Sequence, residues 1–250
     1  MILQYKAYRL LESCFFLIKK IRWFALNILF FSFSISSCKK SNDLVVAASL
    51  DVVNASPGVS NAKVRTPIAT GYFSVLKGVN YGSNSVFNIP TGSVPISMTN
   101  ADDTTKPFYF TTINCNAGQI YSYFISGASG EDIISNKDVI PIRTDSSFGL
   151  RFINLSYNSS SLNVTLSVSP TSNEFTGITY KTITDFKNYP AKFTDPSTYT
   201  FQALDDSGNL ISTLDVTTAN YVQKNITLVL MGMLGGSGTT APGLFLVNNF

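Results

Sequence analysis

The 250-residue chain contains no histidine. That absence excludes Ser-His-Asp and Cys-His catalysis, His-ligated zinc and most general-base chemistry near neutral pH. Charged residues make up only 13% of the chain, and they form no dense basic cluster able to neutralise phosphates, so no nucleic-acid partner is expected. Cysteine is scarce: Cys14 and Cys38 lie near the N-terminus and Cys115 stands alone. One isolated thiol makes no internal disulfide, so the fold must rest on its cores. Cys115 reads as a strand-end residue and not as a reactive thiol. No Asp-x-Asp-x-Asp-Gly loop is present, and the Gly-rich stretch Gly232–Gly238 lacks the Gly-Lys-Ser/Thr ending of a phosphate loop. No metal and no cofactor are expected.

What is present begins with the N-terminus. Lys19, Lys20 and Arg22 precede an apolar run of about 13 residues, Trp23 to Ile35, which leads into Ser36-Ser37-Cys38. A spanning helix needs about 20 predominantly apolar residues, and a basic, then apolar, then small-residue order is that of a secretory signal. A cysteine at the cleavage point makes residues 1–37 look like a bacterial lipoprotein signal peptide, with Cys38 as the lipid attachment site and 38–47 as a lipidated tether. The stretch before Lys19 is long for a basic leader, which suggests translation starting near Leu17 or Ile18. The signal carries five basic residues and one acid, so the remaining chain has 13 basic and 14 acidic residues and a net charge near −1. The basic pI near 8.7 is therefore a property of the precursor.

Beyond residue 47 no sustained helical period occurs. Ser49–Val53, Leu162–Val168 and Thr198–Leu204 alternate apolar and polar residues, with turn signals about every ten residues, the spacing of a β-sandwich. The chain also repeats itself. Leu50–Ser56 matches Leu150–Ser156, Gly78–Tyr81 matches Gly177–Tyr180, Gly92–Met98 matches Ser197–Ala203, and Ile120–Gly127 matches Asn225–Gly232. Each copy then ends on a last strand, read as Val139–Arg143 in the first and Gly243–Val247 in the second. A repeat of about a hundred residues is long enough for each unit to bury its own core. The expectation is an all-β chain of two tandem immunoglobulin-like β-sandwich modules, 48–145 and 146–250, stacked end to end as a short rod.

Val52-Val53-Asn54-Ala55-Ser56-Pro57-Gly58 followed by a Val-rich strand, then Gly78-Val79-Asn80-Tyr81-Gly82, resembles domain-of-unknown-function family 4397 over nearly all of residues 48–250. The second copy departs from the signature as Asn154-Leu155-Ser156-Tyr157. The resemblance implies immunoglobulin-like sandwiches in an extracytoplasmic protein, and implies no reaction. The junction around Cys38 also resembles lipoproteins of Bacteroidota, which implies an outer-membrane, surface-exposed location, with the periplasmic face as the alternative.

Paired acids occur at Asp102-Asp103, Glu131-Asp132 and Asp205-Asp206. Two carboxylates across a cleft would serve a glycosidase, and one such turn could bind calcium. Each pair falls between strands, however, so solvated turns are preferred and no catalytic residue is assigned. Tyr72, Tyr109 and Tyr189 are candidate ligand-facing aromatics, since neighbouring rings on a strand point to opposite faces. Lys181, Lys187 and Lys192 suit a charged sheet edge. Thr104, in Asp103-Thr104-Thr105, is a candidate glycosylation site. The sequence thus reads as a non-enzymatic, lipid-anchored envelope protein for binding, adhesion or structural support. Its expected partners are the membrane and a glycan or another envelope protein. The alternatives are a carboxylate-dependent glycan hydrolase and a periplasm-facing scaffold.

Overall fold

The structure is a computed structural model that describes residues 47–68 and 74–249. The expected signal peptide, the expected lipid attachment site Cys38, the expected tether up to residue 46, and Tyr72 lie outside the described residues. Module 1 is built from β1 (Ala47–Asn54), β2 (Asn61–Pro67), β3 (Ser74–Asn80), β4 (Ser83–Pro90), β5 (Gly92–Asn100), β6 (Asp103–Cys115), β7 (Ile120–Ser126) and β8 (Asp132–Asp138). Module 2 follows with β9 (Ser147–Asn154), β10 (Leu162–Leu166), β11 (Ser169–Ile178), β12 (Lys187–Pro190), β13 (Thr198–Leu204), β14 (Leu210–Thr217), β15 (Asn225–Met231) and β16 (Gly243–Asn249). Each module is a sandwich of two four-stranded sheets, ordered β4-β1-β7-β8 over β3-β2-β5-β6, and β12-β9-β15-β16 over β11-β10-β13-β14. In both modules the first strand runs parallel to the seventh, β1 beside β7 and β9 beside β15.

The repeat read in the sequence is a structural repeat. β1 aligns Leu50 with Tyr121 and β9 aligns Leu150 with Ile226, so the shifts of 100 and 105 residues hold across the pairing. Asn54 and Asn154 do the same work. Asn54 Nδ2 donates to the carbonyls of Val59 at 2.7 Å and Val79 at 3.1 Å, while its Oδ1 accepts from the Ser56 amide. Asn154 Nδ2 donates to Ser159 Oγ at 2.8 Å and to the Ile178 carbonyl at 3.1 Å, and its Oδ1 accepts from the Ser156 amide. Each asparagine therefore closes the first crossover of its module and satisfies backbone groups that burial would otherwise strand. Because the asparagine carries the turn, Tyr157 can stand where module 1 has Pro57. Gly127 and Gly232 end β7 and β15 at φ near +84° and +85°, a conformation that favours glycine.

One expected element is corrected. The last strand of module 1 is β8, and Val139–Arg143 is an irregular link with Val139 and Ile142 exposed. The apolar residues of that link mimic a buried strand, but Asp138 already completes the pairing with Ile120.

The arrangement of the modules is also corrected. They do not stack end to end. Sheets β4-β1-β7-β8 and β12-β9-β15-β16 pack face to face, and a third apolar cluster fills the space between them. Val53, Ala55 and Phe124 of module 1 meet Ile153, Leu155, Val229 and Val247 of module 2 there, all essentially buried. Every residue of β9 is buried as a result. Each sandwich keeps its own core as well, one around Leu50, Ile96 and Ile125 and the other around Phe152, Phe201 and Leu228. The chain is thus four sheets deep, and its two inner sheets are covered on both faces.

Candidate functional site

Polar groups sit inside the module junction as well as apolar ones. Arg151 on β9 donates from Nη1 to Asp138 Oδ1 of β8 at 2.8 Å and from Nε to Thr227 Oγ1 at 2.8 Å, and its guanidinium lies 4.8 Å from the Phe186 ring centre. Ser122 Oγ donates to the other oxygen of Asp138. Asp51, on β1, accepts from Asn84 Nδ2 at 2.8 Å, while its second oxygen and Nη2 of Arg151 have no partner. Burial pushes the Asp51 carboxyl up to about 6; the Asn84 bond and Arg151 oppose the shift and Asp138 adds to it. The unfolded chain titrates near the ordinary value, so the folded state binds this proton more tightly. Stability from Asp51 is full below about pH 4 and is lost as pH rises through about 6, by up to roughly 3 kcal/mol. Asp51→Asn keeps the acceptor for Asn84. It is expected to stabilise the protein at about pH 7.5 and to change little at about pH 3.5, compared by urea unfolding.

A second group of bonds latches the modules at one rim. Ser126 Oγ donates to the Leu155 carbonyl at 3.0 Å, Tyr180 Oη donates to Asp132 Oδ2 at 2.9 Å, and Lys181 pairs with Asp132. Lys181 is therefore part of the junction and not of a sheet edge. Lys187 does sit on edge strand β12, over the Phe175 ring and 3.4 Å from Glu174.

The paired acids lie where strands meet their connections: Asp102, Glu131, Asp205 and Asp206 fall between strands, and Asp103 and Asp132 open β6 and β8. Asp205 closes the β13–β14 hairpin: its carboxylate accepts the amides of Ser207 and Asn209 and the Asn209 side chain. Those bonds, the Asn209 side chain foremost, hold it below the usual carboxylate range. Thr105, with side chain and amide, lowers Asp103 likewise. Burial pushes Glu131 up, but the amides around it, those of Ser129 and Ala128 included, bring it below its ordinary value, and Lys181 lowers Asp132. A glycosidase acid needs the opposite, a carboxyl raised so that it holds a proton. The raised carboxyl, Asp51, is sealed between the modules. Among the described residues no group of three or more acids and cysteines could hold a metal ion.

Tyr189 is not ligand-facing. It is buried among Phe148, Tyr199 and Phe201, with ring centres 5.2 to 5.6 Å away, and its hydroxyl donates to Glu174. Pro190 does mark an edge strand, but Tyr189 alternates inward from it. Tyr109 is half-buried, leaning on the core ring Tyr123 at 6.1 Å. Thr104 is exposed in the β5–β6 hairpin, and Cys115 is buried at the end of β6.

The exposed aromatic of module 1's outer sheet is Phe110, the neighbour of Tyr109. It projects from the outer face of β3-β2-β5-β6. Strand register places Leu76, Arg65, Ser97 and Phe110 in one row across that face, because Arg65 pairs with both Leu76 and Ser97 and Ser97 pairs with Phe110. Pro95 with Thr112, and Ser93 with Asn114, form the next two rows, all exposed. At about 4.8 Å per strand, Arg65 and Phe110 stand about 10 Å apart. None of the ion pairs among the described residues involves Arg65. The face therefore offers an apolar ring, a guanidinium fork and a hydroxyl- and amide-bearing floor on a rigid sheet. The corresponding row of β11-β10-β13-β14 differs, holding Asn173, Thr165, Gln202 and Thr213, of which Thr165 is buried.

No family model matches the chain. No curated protein matches it either. Among solved structures it is similar to a streptococcal virulence factor described as binding α-glucan, at 11% identity and TM-score 0.25 over 73% of this chain and 93% of that one. It is also similar to a family 26 carbohydrate-binding module from Eubacterium rectale in complex with maltoheptaose, at 10% identity and TM-score 0.26 over 81% of this chain and 97% of that one. At such scores the likeness carries no inference about what this chain binds.

Proposed function

We propose that the protein is a non-enzymatic, lipid-anchored envelope protein, exposed at the cell surface, that binds a glycan on the outer face of β3-β2-β5-β6. The observation behind this reading is the row Leu76–Arg65–Ser97–Phe110 with the exposed hydroxyls and amide beside it. Sugars present C–H faces that stack on an aromatic ring and hydroxyls that take bonds from guanidinium, amide and hydroxyl groups. The sheet below is fixed by a core of Val94, Ile96 and Met98, so little ordering entropy is lost on binding. Kinship with domain-of-unknown-function family 4397 is part of the same proposal, supported by the duplicated Asn54 and Asn154 turn.

A glycan array with the purified protein tests the reading. Phe110→Ala and Arg65→Ala should each weaken binding roughly ten- to thirty-fold, about 1.4 to 2 kcal/mol, as truncation of an aromatic or arginine anchor does. Binding that is indifferent to both substitutions rejects this face. Turnover of a glycan that Asp205→Ala or Asp206→Ala abolishes would establish the hydrolase instead. Protease shaving of whole cells distinguishes surface exposure from the periplasmic, scaffold-like alternative.

A further inference from the structure

We propose that one end of the four-sheet stack rests on the lipid surface, with Val139, Ile142, Val168 and Phe193 entering the headgroup layer. This rests on the lipid-anchor reading above and goes beyond it, since an anchor alone leaves the body free to point anywhere.

The strands give the molecule two ends. Ser126 meets Leu155 and Tyr180, and Asp132 meets Lys181, so both modules point the same way. At one end lie the start of β1 at Ala47, the end of β8 at Asp138, the start of β9 at Ser147 and the end of β12 at Pro190. The chain leading back to Cys38 joins at this end, through Ala47. Ten extended residues reach at most about 33 to 36 Å, so this end is the one held nearest the bilayer.

The four most exposed large apolar residues of the described chain are at that end. Val139 is 83% exposed, Ile142 94%, Val168 86% and Phe193 fully, against 36 to 69% for Leu76, Val86, Phe110 and Leu210. Their backbones are held in place. The Pro141 carbonyl accepts from Asn225, the Ser167 amide donates to the Thr200 carbonyl beside Val168, and the Ala191 amide donates to the Ser146 carbonyl just before Phe193. Exposed Lys192 and Lys224 and half-buried Arg143 share the end with Asp145 and Asp195. The opposite end carries all three acid pairs, Asp102-Asp103, Glu131-Asp132 and Asp205-Asp206, with Lys106 and Lys181. Apolar side chains flanked by cations suit an anionic lipid interface, and the acidic end is the one repelled from it.

Trp23 precedes Cys38, so the processed chain has no tryptophan of its own. Single tryptophans are introduced as Ile142→Trp, Phe193→Trp and, at the opposite end, Leu210→Trp. Each lipidated protein is reconstituted into phosphatidylethanolamine–phosphatidylglycerol vesicles with brominated acyl chains. Quenched, blue-shifted emission from positions 142 and 193, with unquenched emission from 210, is the expected result. Equal emission at all three in a protein whose intact mass shows the acyl chains overturns the seating and leaves the anchor standing. A mass without acyl chains rejects the anchor. If positions 142 and 193 are still quenched in that protein, the seating holds by itself; if they are not, both ideas fall.

Discussion

Arg151→Met is expected to lower stability by about 3 to 5 kcal/mol, the usual result of removing one partner from a buried ion pair. Both side chains of the Arg151–Asp138 pair are almost fully buried, at 4% and 0% exposure. The methionine would leave Asp138 charged between two modules, with Asp51 nearby and no cation to offset either. Chemical unfolding measures the loss. Adding Asp138→Asn removes the stranded charge while keeping an acceptor for Ser122, so the double variant should recover much of the deficit. If the double variant is no more stable than Arg151→Met alone, stranded charge is not the cause. The effect should act on the whole molecule, because the pair joins β8 of one module to β9 of the other.

Phe124→Ala is expected to cost a similar amount, about 3 to 5 kcal/mol. Phe124 is 1% exposed, yet it belongs to neither sandwich core; it fills the cluster between the inner sheets with Ile153, Leu155 and Val229. Truncation therefore leaves a cavity in the junction and not within a module. Calorimetry should show the wild type melting in one transition, since the junction and the two cores share strands, and Phe124→Ala melting in one transition at lower temperature or splitting into two. A wild type that already melts in two steps, with only one shifted by Phe124→Ala, would mean that the modules are energetically separate.

Much of the fold was legible because it depends on local pattern. Alternation marked β1, β10 and β13, turn residues marked the hairpins at Asp205–Asn209 and Gly232–Gly238, and the duplicated blocks exposed the repeat through positions such as Asn54 and Asn154. The junction was not legible, because its signal is mixed. β7 carries Tyr123-Phe124-Ile125 and β15 carries Leu228-Val229-Leu230, near-continuous apolar runs of the kind found in strands buried on both faces. Asp51, Ser122, Asp138, Arg151 and Thr227 share that second face, however, and a strand with aspartate or arginine between apolar residues reads as solvent-facing. Only the meeting of Arg151 with Asp138 across the modules makes those residues interior ones.

The link and the rings differ from expectation for another reason, that composition and alternation do not fix which side of a sheet is covered. Val139–Arg143 has strand-like composition but lies past a sheet that Asp138 already completes. Among the aromatics, Tyr189 faces inward because β12 pairs with β9 in the register Tyr189 to Phe148, and Phe110 faces outward because β5 pairs with β6 in the register Ser97 to Phe110. Sequence alternation says that neighbours such as Tyr109 and Phe110 differ. It does not say which of them is outside.

The parallel pairing of β1 with β7 bears on mechanics. β1 is an interior strand, bonded along its length to β4 on one side and β7 on the other. With the proposed anchor at Cys38, a ligand pulled away from the cell would draw on this strand through Ala47, along its own axis. Tension applied in that direction shears both ladders at once, so the rungs share the strain and do not peel apart one after another. In the proposed lipid-anchored protein, a ligand held by module 1 would thus be tied to Cys38 through the part of the module best braced against traction.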